Sequence, residues 1–143
     1  MAANQFKAAN VVVTLEKFFK QAPNLPTNVR EVLVKVAPWI ALIFGILGVL
    51  GGLSLLGFSP VALLGGIGTS FGVLVTGVLS IIASGLMLLA YPNLVKKHYK
   101  GWELLFWSES VSAVSGILNV NLFAVFFVLI GFYLLFQIKS YYK

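Results

Sequence analysis

The sequence contains no cysteine, no aspartate and a single histidine, and only 10% of its 143 residues are charged. The absence of cysteine excludes disulfide bonds, thiol catalysis and thiolate metal sites. The lone His98 has no second histidine, aspartate or cysteine with which to form a metal site or a catalytic triad, so we expect a headgroup-level residue there. Soluble domains carry about 25% charged residues. The scarcity of charge therefore argues against a water-soluble enzyme.

Apolar residues take the place of the missing charge. Hydrophobic residues make up 59% of the chain and the mean hydropathy is +0.99, whereas soluble domains hold roughly 45–50% apolar residues. A chain this short has too little interior to hide the surplus from water. We therefore expect an all-α integral membrane protein that is not an enzyme and needs no cofactor.

Four apolar runs are long enough to cross a bilayer, whose core requires ~20 helical residues, with a range of roughly 17–25. They predict spans at about residues 39–57, 66–91, 102–119 and 121–138, arranged as two hairpins in a transmembrane domain of residues 38–143. The third run is the weakest, because Glu103, Glu109 and several serines interrupt it.

The ten basic residues and four glutamates give a net charge of +6. In a soluble protein this balance would suggest nucleic acid, but here every basic residue lies outside the apolar runs, so anionic lipid headgroups are the expected partner and nucleic acid is not. We expect headgroup contacts from Lys17, Lys20, Lys96, Lys97 and Lys100.

The basic residues also predict the orientation. Five precede the first span, three lie between the second and third, and two follow the fourth, whereas the intervening loops carry none. The positive-inside rule then places both termini in the cytoplasm, and we expect a plasma membrane of bacterial type. Aromatic residues expected at the cytoplasmic boundary are Trp39, Tyr91, Tyr99, Trp102, Tyr141 and Tyr142.

Residues 1–37 form a separate amphipathic region on the cytoplasmic face. A surface helix is expected over residues 8–22, with an apolar face that suits the inner-leaflet interface. This apolar face consists of Val11, Val12, Leu15, Phe18, Phe19 and Ala22. A second helix, about 28–37, begins with Asn28 and Glu31 at capping-box spacing and runs into Pro38, where we expect a bend. The region either anchors the bundle or senses the membrane and docks a partner.

Small residues recur at helical spacing in the first two spans. In the first span these are Gly45, Gly48 and Gly52; in the second, at four-residue intervals, they are Gly68, Gly72, Thr76, Ser80 and Ser84. Small side chains let membrane helices approach closely, so that van der Waals contact replaces the hydrophobic drive that lipid cannot supply. The pattern predicts close packing within the bundle; homo-oligomerisation or docking on a larger membrane complex is the alternative.

The third span carries the polar residues. Ser108, Ser112, Ser115 and Asn119 form one stripe, with Glu109 on its flank. A carboxylate within the membrane costs a few kcal/mol, so it should face the bundle interior, water or a partner. We expect a non-catalytic scaffold or accessory subunit that packs through its Gly/Ser helix faces against itself or a larger membrane complex, with Glu109 fixing the third span to its neighbours. The alternative is a small transporter or channel in which Glu109 and the stripe line a cation or proton path.

Overall fold

The computed structural model describes the backbone of residues 2–143 and the side chains of residues 9–143. This part of the chain is 88% helical and contains no strand, which confirms the all-α expectation. The five helices are α1 (Ala2–Phe19), α2 (Thr27–Ala62), α3 (Ile67–Val95), α4 (Tyr99–Leu118) and α5 (Leu122–Ile138). Short 3₁₀ turns follow α2 at Leu63–Gly65 and α5 at Lys139–Tyr141. Lys7 and Ala8, which belong to the predicted amino-terminal region, have side chains outside the described residues.

Three helical segments are long and apolar enough to cross a membrane: Thr27–Gly65, Ile67–Val95 and Leu122–Tyr141. Large apolar side chains remain exposed on each of them, among them Phe44, Phe71 and Phe126. An exposed apolar surface of this extent marks contact with lipid or other protein rather than water. The three segments therefore indicate a membrane-integrated protein.

Helices α2 to α5 pack in chain order, so that α3 lies between α2 and α4, and α4 lies between α3 and α5. The best-packed part of the interior is formed by the start of α2, the end of α3, the start of α4 and the end of α5. The largest side chains that are almost completely buried are those of Leu94, Trp102, Phe106 and Ser108. The core therefore sits toward one end of the bundle.

The carboxyl-terminal residue Lys143, the α3–α4 loop and the segment after α1 meet at this same end. The backbone N–H of Tyr99 donates to the carbonyl of Lys143 at 2.8 Å, and that of Lys143 donates to Lys97 at 3.1 Å. On the other side, the N–H of Leu25 donates to the side-chain oxygen of Gln137 at 3.2 Å. The segments that carry the basic residues are thus held together at one end of the bundle.

Helix α2 runs without interruption through Pro38, so the second helix expected over residues 28–37 and the start of the first span form one continuous helix. Proline lacks the N–H of a helical hydrogen bond and normally bends a helix. Here Val34 and Ala41, about one turn before and after it, are both buried in the core, so other helices pack against α2 on both sides of the proline. The expected capping box is also absent, because Pro26 precedes the helix and no side chain caps it.

Helix α1 lies against the bundle and ends at Phe19, three residues before the predicted end. Of the predicted apolar face, Val12, Leu15 and Phe19 pack against the core, whereas Ala22 lies beyond the end of the helix. Val11 and Phe18 remain exposed on the outside, with exposed fractions of 49% and 67%. The apolar face is therefore divided between the bundle and the surroundings.

Of the aromatic residues expected at the boundary, Tyr142 is buried in the core, and so is Trp102. Its indole N–H donates to the carbonyl of Leu135 on α5 at 2.7 Å, and its ring stacks on Phe106 with centroids 5.7 Å apart. By contrast, Trp39 is exposed and meets Tyr91 edge-on at 6.2 Å. A tryptophan near a span end can therefore serve as an interhelical contact as well as an anchor.

Candidate functional site

The glycines of α2 form a close seam with α3. A Cβ atom added at Gly45 would stand 2.8 Å from Leu88, one at Gly52 would stand 2.9 Å from the carbonyl of Gly77, and one at Gly48 would overlap the hydroxyl of Ser84. Across the same seam, the Ser80 hydroxyl donates to the Gly48 carbonyl at 3.2 Å. Any larger side chain at these glycines would push the two helices apart.

The small residues of α3 do not all face the same neighbouring helix. Ser80 and Ser84 face α2, whereas Thr76 turns to α4 and accepts a hydrogen bond from the Asn119 amide at 2.9 Å. Gly68 and Gly72 have open space where a Cβ would stand, with nothing within 4 Å, so they make no helix-packing contact within the described chain. Gly77 does lie in the seam with α2. It was not predicted there, because it does not fall on the four-residue spacing of Gly72, Thr76 and Ser80.

The serine stripe of α4 faces α3. Ser108 is fully buried and donates to the carbonyl of Ala83 at 2.8 Å. Farther along the helix, the stripe opens into a groove of about 420 Å³ between α3, α4 and the start of α5, which we call the polar groove. It is lined by Thr76, Ser80, Ser112, Ser115, Gly116, Asn119, Asn121 and Ala124.

Glu109 lies in a different groove, of about 180 Å³, which we call the apolar groove. Its other lining residues are Leu33, Ala37, Ile40, Ala41, Met87, Leu105, Gly131, Leu134, Leu135 and Ile138. The carboxyl group rests against α5 at Gly131, where its carbon lies 2.9 Å from the position a Cβ would take. The two grooves share no lining residue, so the fold separates Glu109 from Ser112, Ser115 and Asn119.

An ion pair connects α1 to the end of α5. The Lys139 ammonium donates to Glu16 Oε2 at 2.6 Å and lies 5.5 Å from the centre of the Trp102 ring, while Lys20 lies 3.3 Å from Glu16 Oε1. The hydrogen bond from Lys139, assisted by the charges of both lysines and opposed by burial, lowers the pKa of Glu16 below its ordinary value of 4.5. Sequence reasoning missed this pair because 123 residues separate its members.

The lysines expected at lipid headgroups are all exposed: Lys17, Lys20, Lys96, Lys97 and Lys100. Glu103 forms no ion pair with Lys96, Lys97 or Lys100; it lines a depression beside Lys139 and Tyr99 instead. Among the residues that the structure describes, no group of three or more histidines or carboxylates could hold a metal ion.

No protein-family model matches the chain, and no curated protein or solved structure is significantly similar to it. A function can therefore be argued only from the two grooves, the close seam between α2 and α3, and the end of the bundle that carries the basic residues.

Proposed function

We propose that α4 is a fourth membrane span. Its 20 residues correspond to about 30 Å at 1.5 Å per residue, which matches the thickness of a bilayer core. The loops before and after it have three residues each, too few to carry the chain back across a membrane. Two of its polar side chains lie against protein, since Ser108 bonds to α3 and the Glu109 carboxyl lies against α5.

In this topology both termini lie in the cytoplasm. Support comes from the gathering of the amino-terminal segment, the α3–α4 loop and Lys143 at one end of the bundle, together with the absence of basic residues from the opposite loops. The positive-inside rule then assigns this end to the cytoplasm of a bacterial-type plasma membrane. Helix α1 lies at the inner leaflet, where its exposed Phe18 meets lipid and Lys17 meets headgroups.

The function that the geometry supports best is a non-catalytic scaffold or accessory subunit that receives a further membrane helix in the polar groove. The observation that carries this proposal is an open groove lined by hydroxyl and amide groups. Ser112 and Ser115 are only half-buried, and Asn119 and Asn121 are exposed. Thr76, Ser80, Asn119 and Asn121 already make hydrogen bonds within the chain. The hydroxyls of Ser112 and Ser115 make none with residues 9–143, and a polar side chain across a helix–helix contact can bond to them, whereas lipid tails cannot.

Gly45, Gly48 and Gly52 of α2 already pack against α3 within the chain. This face is therefore not available to a second protein, and we place the partner in the polar groove instead. A second copy of the chain and a subunit of a larger complex are both suitable occupants of the polar groove. A transport path that combines Glu109 with the serine stripe has less support, because the two lie in separate grooves.

The first experiment is gentle extraction from the native membrane followed by native mass measurement. We expect a species of fixed stoichiometry that exceeds one 15.5 kDa chain. Ser115→Leu should dissociate it by filling the polar groove, whereas Val114→Leu, on the exposed neighbouring position, should leave it intact. A wild-type monomer, or a complex that Ser115→Leu does not weaken, would contradict the proposal. Ion flux through reconstituted protein that is lost in Glu109→Gln would favour the transporter instead.

A further inference from the structure

The apolar groove contains a single charged side chain. The Glu109 carboxyl enters it from α4 between the apolar walls supplied by α2 and α5, represented by Ala37 and Leu134. Every other lining residue is an aliphatic side chain, a methionine or a glycine. Gly131 makes this arrangement possible, because any side chain at that position would contact the carboxyl oxygens, which lie 2.9 Å from the place of its Cβ.

No group of the described chain neutralises this carboxylate. Glu109 takes part in neither of the two ion pairs, Glu16–Lys139 and Glu16–Lys20, and no side-chain hydrogen bond reaches it from residues 9–143. The nearest basic residue on its own helix, Lys100, lies nine residues earlier, or about 14 Å along the helix axis. Carboxyl groups removed from water are normally paired or protonated, because an isolated charge in an apolar medium is strongly unfavourable. No cation from residues 9–143 is placed to pair with the Glu109 carboxyl group in this groove.

We propose that the apolar groove binds a short alkylammonium ion. The ammonium group would donate to the Glu109 carboxylate, and the hydrocarbon chain would lie along the walls formed by α2 and α5. The volume of about 180 Å³ equals the liquid volume of about six water molecules. It is smaller than the roughly 300–1,000 Å³ typical of pockets for drug-sized ligands, so a small primary amine is the matching class.

The same features discriminate against related molecules. An alkanol of equal length can fill the groove but brings no charge to the carboxylate, and an alkyl carboxylate would be repelled by it. Specificity for the ammonium group therefore depends on one side chain, while affinity for the carbon chain depends on the apolar walls. This separation allows each part to be tested by itself.

Titration calorimetry on the full chain in lipid nanodiscs tests the proposal, with n-pentylammonium, 1-pentanol and pentanoate as probes. We expect saturable binding of one pentylammonium per chain, at least tenfold tighter than pentanol, and no binding of pentanoate. Glu109→Gln should weaken pentylammonium binding at least tenfold and leave pentanol binding unchanged. Glu103→Gln is the matched control, since it removes a carboxylate from the same helix but outside the apolar groove, and should have no effect.

A second variant keeps the test decisive if Glu109→Gln does not fold. Ala37→Leu fills the groove from α2 without altering the carboxylate and should abolish binding of both pentylammonium and pentanol. Equal affinity for pentylammonium and pentanol in the wild type would overturn the proposal. So would an equal loss in Glu103→Gln, which would indicate non-specific attraction of cations to the protein surface. Absence of pentylammonium binding would overturn it as well.

Discussion

Glu16 of α1 and Lys139 at the end of α5 form an ion pair of 2.6 Å, although they are 123 residues apart. Both side chains are 24% exposed, so water screens the pair only in part. Beside it, Phe19 stacks on Phe136 with ring centroids 5.5 Å apart, and the Tyr133 hydroxyl donates to the carbonyl of Pro23. Together these contacts fix the amino-terminal segment to α5.

Glu16→Gln should loosen α1 without unfolding the bundle. The loss of one partly exposed ion pair corresponds to about 1 kcal/mol, enough to raise hydrogen exchange in α1 several-fold while α3 and α4 are unchanged. Because the pKa of Glu16 is lowered in the folded chain, the stabilisation is present at neutral pH and is lost as the pH falls from 4.5 through the folded value. Wild-type α1 should therefore begin to exchange faster below pH 4.5.

Hydrogen exchange monitored by mass spectrometry between pH 3 and 7 measures this effect, after correction for the intrinsic rate at each pH. Glu31→Gln is the control, since Glu31 forms no ion pair in the described chain. The double variant Glu16→Lys, Lys139→Glu should restore protection by reversing the pair. Unchanged exchange of α1 in Glu16→Gln would mean that the aromatic contacts alone hold the helix.

Gly48→Ala should destabilise the α2–α3 hairpin. The new methyl group would overlap the Ser84 hydroxyl, and overpacking of this kind costs typically about 1–3 kcal/mol. Gly51→Ala is a matched control on the same helix, because no atom lies within 4 Å of its added Cβ; we expect it to be neutral or slightly stabilising, since alanine favours helix over glycine.

Thermal unfolding in detergent, followed by circular dichroism, distinguishes the two variants. Combining Gly48→Ala with Ser84→Gly removes the overlapping group and should recover most of the lost stability, which is a coupling that distant sites do not show. An unfolding temperature of Gly48→Ala equal to that of Gly51→Ala would contradict close approach of α2 and α3 at this seam.

The location of the helices was largely predictable from the sequence, because hydropathy reports the period and length of apolar runs directly. The second span was predicted from residue 66 and α3 begins at Ile67. The reason is local: Gly66 adopts a φ of 106°, a conformation that glycine adopts at little cost. The α4 and α5 boundaries likewise fall within three residues of the predicted ones.

The contacts between helices were not predictable in the same way, because they depend on which faces meet. Helix α2 continues through Pro38, where Val34 and Ala41 are buried by other helices, and the burial of Trp102 depends on α5. Glu109 and Ser112 are three residues apart on one helix, yet they face different grooves. A single sequence reports polarity along a helix but does not identify the neighbour on each side.

The absence of cysteine allows a direct test of the four-span topology. Single cysteines replace Leu64, which is 91% exposed beyond α2, Leu122, which is 81% exposed at the start of α5, and His98 in the α3–α4 loop. With four spans and cytoplasmic termini, a membrane-impermeant maleimide applied to intact cells should label positions 64 and 122. Position 98 should react only after the cells are permeabilised, because it lies at the lysine-rich end. If α4 does not cross the membrane, position 122 will instead behave like position 98, and the three helices that hydropathy alone identifies will be the only spans.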